Sequence, residues 1–300
     1  MAKNHRKWQK IRELLIKYFF GLNGITAVIV LLGIFVFLSL TGLEVFQELS
    51  LGDFFGAKEW NPTSYNEPKW GLLSMLAGTA YIVLGAMAVA VPIGLATALY
   101  LSEIASKRVR EILKPMIEMI SAVPSVVLGL FGLVFLAPII TKVFHISSGL
   151  NALTASILVA IMALPTIISI SEDIIREVPQ HYKEASLALG ATKWETIKKV
   201  VVPISSSGIF AAVMLGLGRV IGETMLVLMV AGNARAFPMS FLDPIRPLTA
   251  NIAIEIKEVV TGGVHYQALF FIGLLLFVMT FIVNLLSDIV INKQIKKLKP

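Results

Sequence analysis

Six stretches of this chain are long and apolar enough to cross a bilayer, and they constrain the fold more than any other feature: Tyr18–Leu40, Leu76–Leu101, Met116–Ile140, Leu150–Ser171, Ser207–Ala231 and Tyr266–Ile291. Each reaches the roughly 20 residues that an α-helix needs to traverse about 30 Å of hydrocarbon. No water is available there for free N–H and C=O groups, so each run must close its own backbone hydrogen bonds as a helix. The expected class is an all-α integral membrane protein with six transmembrane helices. Only 15% of the residues are charged and mean hydropathy is +0.82, far from the roughly one quarter charged residues of a soluble domain. The 23 residues of Tyr18–Leu40 exceed a signal-peptide core, so this run is expected to stay as the first span.

A net charge of +7 raises the question of nucleic acid, and its distribution answers it. With a cytoplasmic N-terminus, the inside segments hold 19 Lys and Arg: six before the first span, four in Ser102–Pro115, five in Glu172–Ser206 and four after Ile291. The outside segments hold six, and Arg219 lies within a span. This is the positive-inside bias, so basicity reports orientation, with both termini expected inside. The implied organisation is a cytoplasmic segment 1–17, a first span with its outer loop 18–75, a five-span core 76–291 containing a cytoplasmic loop 172–206, and a cytoplasmic tail 292–300.

Several chemistries are excluded. The absence of cysteine removes disulfides and thiolate sites. His5, His145, His181 and His265 form no His-x-x-x-His pair and are expected in loops or interfaces. No Gly-x-x-x-x-Gly-Lys-Ser/Thr loop occurs, so the chain cannot hydrolyse ATP itself. No set of catalytic carboxylates, nucleophile and base, or metal ligands is evident, so an enzyme is not expected and no cofactor is expected on this chain.

Two polar features interrupt the apolar pattern. Glu172–Ser206 is an island in which Asp173–Leu189 reads as one helix, Gly190 as its left-handed C-terminal residue, and Thr192–Glu195 as a capping box opening a second helix. That helix is expected to stop at or before Pro203. The second feature is the fifth span, Gly216-Leu217-Gly218-Arg219-Val220-Ile221-Gly222-Glu223-Thr224. Arg219 lies 12 residues past Ser207, about 18 Å along a helix, near the midplane, where an arginine costs at least about 2.5–3.5 kcal/mol. Glu223, one turn on, is expected to share its face, with Gly218 and Gly222 admitting a neighbouring helix. Two readings stay open: an ion pair holding two helices in register, or a guanidinium fork offered to a passing oxyanion with Glu223 steadying it. The glycine spacing is wrong for a dinucleotide loop and no strand precedes it.

Other segments carry paired expectations. Pro124, Pro165, Gly129 and Gly132 are read as bends inside spans three and four, where Ala122–Ser125 either lines a pathway or simply packs. Ser102–Pro115 reads as a basic helix that Pro115 separates from span three, touching either a partner or lipid headgroups. The outer loop's Trp60 and Trp70 suit the membrane interface or a partner. Leu248–Val260 reads as a helix ending at Gly262-Gly263, either at an outer mouth or at the interface.

Glu184-Ala185-Ser186, three residues, Gly190, nine residues, Val200-x-Val202-Pro203 resembles the EAA loop of ABC-importer permeases, with Ser186, Val200 and Val202 departing from its commonest residues. That resemblance implies a type I ABC importer (MetI-like) permease fold and an ATPase-coupling surface at Lys183, Glu184, Ala185, Ser186, Gly190 and Trp194. Gly216–Met225, Gly232-Asn233, Trp60-Asn61-Pro62, Ala122–Val127 and Leu248 through Asn284 are similar to permease subunits of bacterial phosphate-specific ABC importers. The resemblance implies passage of inorganic phosphate beside Arg219, Glu223, Thr224 and Ser125. It also implies a homologous permease subunit, a cytoplasmic ATPase dimer using ATP and Mg, and a periplasmic or lipid-anchored phosphate-binding protein. A permease for sulfate, molybdate or phosphonate, or a stand-alone secondary anion transporter, are the alternatives.

Overall fold

Proline and glycine decide where the six crossings bend. The computed structural model describes the backbone of residues 2–298 and the side chains of residues 12–289. His5, the basic residues Lys3, Arg6, Lys7 and Lys10, and the tail Lys293, Lys296, Lys297 and Lys299 therefore lie outside the described side chains. Six helical stretches are long and apolar enough to cross a membrane: Arg12–Gln47, Leu73–Ile104, Ser125–Phe144, Ala152–Arg176, Lys193–Gly222 and Val264–Ile289.

The first crossing is α1 (Ala2–Leu43), which packs along the last, α13 (Val264–Leu298). The second, α3 (Leu73–Leu99), lies along α7 (Ala152–Arg176), and α10 (Val202–Gly222) packs on α7 and α13. Helix α7 is the centre of the bundle. Between lipid-embedded helices no hydrophobic force favours association, so close approach relies on small residues. Ala86 and Ala90 of α3 meet Ala155, Ala160 and Ala163 of α7 in one buried cluster. Ile167 fills the notches of two glycines: an added Cβ would lie 2.8 Å from it at Gly94 and 2.6 Å at Gly216.

Several boundaries differ from the sequence expectation. Pro115 does not end a helix: α4 (Lys107–Ala122) runs through it, and the chain breaks instead at Val123-Pro124, both extended, before α5 (Ser125–Phe131). Pro115 is tolerated because Glu111, whose carbonyl it leaves unbonded, is exposed to water; Val123 is forced out of helix by the proline after it. Pro124 thus precedes span three and does not bend it, and α4 is an amphipathic helix with no buried residue. The expected single helix Asp173–Leu189 is two, because Pro179 separates α7 from α8 (Gln180–Ala188).

Pro203 does not stop its helix either. From α9 (Lys193–Thr196) the chain continues through a π-helical turn, Ile197–Val201, into α10, with Val202 N–H bonded to Ile197 O. The wider turn relieves the clash between a proline ring and the carbonyl four residues back. The same device precedes Pro138, where the π turn Gly132–Leu136 leads into α6 (Ala137–Phe144). Finally, the fifth crossing ends at Gly222: Glu223 is extended (ψ 124), and a separate helix α11 (Met225–Val230) follows.

At one end of the bundle, α2 (Leu51–Gly56) and a hairpin of two-residue strands, β1 (Trp60–Asn61) and β2 (Lys69–Trp70), fold onto α12 (Leu248–Glu255) and α13. Trp60 and Trp70 do not sit at the lipid interface. They are buried, edge to face, in a cluster with Phe54, Leu72, Leu248 and Phe271. Helix α12 stops at Glu255, short of the expected Val260, with Gly262 at φ +81 beyond it.

Candidate functional site

Contrary to the expected midplane position, Arg219 lies in the last turn of α10, near the end of its crossing, and it does not pair with Glu223. Arg219 is half-buried, and among the described residues its one hydrogen bond runs from Nη1 to Thr166 Oγ1 of α7 at 3.2 Å, with no carboxylate within 4 Å. The break after Gly222 rotates Glu223 off that face. Its Oε1 accepts from Leu226 N–H at 3.0 Å and caps α11, while its carbonyl accepts from Thr249 Oγ1 at 3.0 Å. The expectation of an i,i+4 pair failed because it assumed an unbroken helix. Thr224 turns back on Gly222 O at 3.2 Å. A cavity of about 10 Å³, room for one water, lies among Thr79, Val220, Glu223 and Thr249.

The surroundings of Arg219 are open on one side. A Cβ added at Gly218 or Gly222 would meet nothing within 4 Å, whereas one at Gly216 would strike Ile167. Among the described residues no helix of this chain covers that small-residue face. Ser125 begins α5, which packs on α11 through Gly129, and shares no hydrogen bond with Arg219 among the described residues. Thr166 was not singled out from the sequence; it lies after Pro165 in an apolar run, and nothing local marks it as the partner of an arginine 53 positions away.

The hairpin forms as the spacing suggested and is built differently inside. Gly190 has φ +85; its N–H bonds Leu187 O while Ala191 N–H bonds Ser186 O, the paired closure of a Schellman motif. Thr192 and Glu195 exchange both bonds of a capping box. Glu184 and Ala185 are exposed, as are Tyr182, Leu187, Leu189 (90%) and Trp194 (63%), a cluster of apolar side chains offered to solvent. Lys183 is not among them: it turns inward and donates to Glu103 at 2.6 Å. Ser186 shares a 2.9 Å hydrogen bond with Thr196.

Two charge clusters escaped the sequence reading because their members are far apart along the chain. Beside α4, fully buried Glu172 accepts from Lys114 Nζ at 2.7 Å and lies in charge contact, without a hydrogen bond, with Arg110 Nε at 2.7 Å, and Lys114 also bonds Asp173. This anchors α4, the basic helix, to α7 and leaves fewer of its charges for lipid. Burial pushes the Lys114 ammonium down, but the bonds and charges of Asp173 and Glu172 outweigh it and raise its pKa. At the end of the bundle that carries the β1–β2 hairpin, buried Glu255 accepts from Trp60 Nε1 (2.8 Å) and Arg246 Nη1 (2.9 Å), and His265 Nε2 lies 2.8 Å away. Burial would raise the Glu255 carboxyl; His265, Trp60 and Arg246 together hold it below its ordinary value. Of the four histidines, His265 thus belongs to a polar core.

The sequence pattern of a family described as "Binding-protein-dependent transport system inner membrane component" matches residues 90–296. A probable ABC transporter permease protein of Bacillus subtilis, YqgH, is 38% identical over 84% of this chain and 82% of its own. Proteins named phosphate transport system permease protein PstC are 36% identical in Mesorhizobium japonicum, over 77% of this chain and 75% of that one, and 32% identical in Haemophilus influenzae, over 94% of each. In fold the chain is similar to a solved chain of the MetNI methionine ABC transporter in an inward-facing conformation, with a TM-score of 0.55 at 19% identity over 75% of this chain and 94% of that one.

Proposed function

Because this chain belongs to the family of binding-protein-dependent transport system inner membrane components, we propose that it is the permease subunit through which an ATP-driven importer moves inorganic phosphate by alternating access. It is a multi-pass membrane protein of the MetI-like fold and carries no ATPase of its own; hydrolysis belongs to a separate chain. The single observation that carries the substrate reading is Arg219: a half-buried guanidinium in the last turn of the fifth crossing, held by one threonine, with its flank uncovered at Gly218 and Gly222. An unpaired cation in that position is stable only if something anionic or a second polar surface completes it. A planar fork matches two oxygens of a tetrahedral oxyanion. The PstC names of several relatives agree with phosphate as that anion.

In this reading Thr166 takes the place that Glu223 had in the sequence expectation: it orients the fork. Glu223 and Thr224 shape the break beside the pathway, and Ser125 stands at the head of α5. The open glycine face receives a homologous, PstA-like permease subunit. The exposed knob of Glu184, Ala185, Leu187, Leu189 and Trp194 around Gly190 enters a PstB-like ATPase dimer that uses ATP and Mg, and a PstS-like phosphate-binding protein delivers at the outer face. Residues 76–291 form the transport core, 172–206 its cytoplasmic coupling loop, and 1–17 and 292–300 cytoplasmic ends in a bacterial inner membrane.

The test is purification of the complex from native membrane, reconstitution into vesicles, and uptake of labelled phosphate, sulfate, molybdate and phosphonate in parallel. ATP-dependent uptake of phosphate above the others is expected. Preference for another oxyanion would transfer the same site to that substrate, and uptake without any ATPase chain would overturn the importer reading.

A further inference from the structure

Helix α8 is fastened to the membrane bundle at two points. Three residues apart on its inner side, Lys183 reaches Glu103 at 2.6 Å and Ser186 reaches Thr196 at 2.9 Å. Each contact lands on or beside a π-helical turn. Glu103 belongs to Tyr100–Ile104, the π turn that ends the second crossing, and Thr196 immediately precedes Ile197–Val201, the π turn that leads into α10. A π turn is a local defect in the i→i−4 ladder and such turns mark places where a helix carries function.

The two fastenings differ in kind. Around the hydroxyl contact α8 and the Lys193–Val201 segment pack directly. Between α8 and the π turn that holds Glu103 a cavity of about 390 Å³ opens, bordered by Glu103, Gln180, Lys183 and Leu187 and closed on the far side by Lys193, Thr196 and Ile197, and the charge pair reaches along it. Both charged side chains are nonetheless withdrawn from water, Lys183 to 14% exposure and Glu103 to 9%. An ion pair that is desolvated and short, spanning a gap that apolar packing does not fill, transmits force where its neighbours cannot. It ends on α3, which lies along α7, and Gly94 of α3 seats Ile167, the residue next to Thr166.

We propose that the Lys183–Glu103 pair is the strut that carries movement of the coupling hairpin into the second crossing, so that the hairpin drives α3 and α10 together and not α10 alone. Lys183 is a positioning residue within this chain and not a contact to the ATPase. The proposal rests on the reading that an ATPase grips the hairpin, and the experiment separates the two.

The full complex is reconstituted with Lys183→Met, Glu103→Gln, the conservative Lys183→Arg, and the exchanged pair Lys183→Glu with Glu103→Lys. Three quantities are read for each: ATPase chain retained on purification, ATP hydrolysed, and phosphate transported per ATP. Each neutralised variant should keep its ATPase and still hydrolyse ATP while transport per ATP falls about tenfold, the scale of a coupling free energy. Lys183→Arg should transport normally, and the exchanged pair should recover to within about threefold of the parent, since restoring a contact restores its pairwise term. Full transport per ATP in the neutralised variants, loss of the ATPase on purification, or an exchanged pair no better than the single changes would each overturn the strut. Failure of the unaltered chain to bring down any ATPase would instead sink the hairpin reading itself.

Discussion

Replacing Arg219 by alanine separates a transport role from a structural one, because the two predict opposite balances. The fold gives up one hydrogen bond from a charged donor to Thr166 at 3.2 Å, about 1.5–3 kcal/mol. It also sheds a desolvation cost, at most the roughly 2.5–3.5 kcal/mol of an arginine at a helix centre, since Arg219 lies in the last turn of α10. The two terms oppose each other, so the purified complex should melt within a few degrees of the parent. Transport should not be spared: losing two charge-assisted bonds to an oxyanion removes about 3–6 kcal/mol, a fall in uptake on the order of 10²–10⁴. Uptake into proteoliposomes and thermal unfolding in detergent on the same preparation measure both. Arg219→Lys, which keeps the charge and loses the fork, should fall between. A variant that transports phosphate normally, or one whose complex is destabilised by more than about 3 kcal/mol with transport lost in proportion, would show that the arginine holds helices together.

Gly190→Val places a β-branched residue at φ +85, where an L side chain costs roughly 1–2 kcal/mol although the space around it is free; ATPase stimulation should drop several-fold, and unchanged stimulation would count against the hairpin. Gly216→Val forces a methyl to within 2.6 Å of Ile167 and should destabilise the chain by about 1–3 kcal/mol, whereas Gly218→Ala, with nothing within 4 Å, should leave the single chain's melting unchanged while weakening recovery of the second permease subunit. Glu255→Gln should lower the melting temperature at pH 6, the pH dependence being set by a folded-state carboxyl held below the usual 4.5. The stabilisation is complete above 4.5 and is lost as pH falls through the lower folded value, so the gap between parent and variant should close on acidification; a gap constant down to pH 3 would refute it. For Lys114, raised above 10.5, the sign reverses: its contribution is complete below 10.5 and disappears as pH rises through the folded value, which a melting series above pH 10 would detect as a slope absent from Lys114→Met.

The crossings were legible because lipid leaves one way to satisfy a backbone, so hydropathy alone located all six. Gly190 and the Thr192–Glu195 box were equally legible, since each rests on a conformation that few residues adopt. Proline was harder to read. Whether Pro115, Pro179 or Pro203 breaks a helix depends on whether the stranded carbonyl meets water or a π turn absorbs the ring, and neither is written locally. The same limit separated Arg219 from Glu223: adjacency on a helical wheel presupposes the helix, and Gly222 ends it. Thr166, Glu103 and Trp60 find their partners 53, 80 and 195 positions away, beyond any periodicity.

That last span has a consequence for how the molecule is made. Trp60 emerges from the ribosome long before Glu255 and His265, the groups that take its indole N–H and flank its ring. Until α12 and the last crossing have been made, the loop carrying two tryptophans has no seat, and the carboxylate that will receive it does not yet exist. Burial of both indoles therefore cannot precede synthesis of the sixth crossing, and a nascent chain released before it would leave them uncovered for any quality-control protease to find.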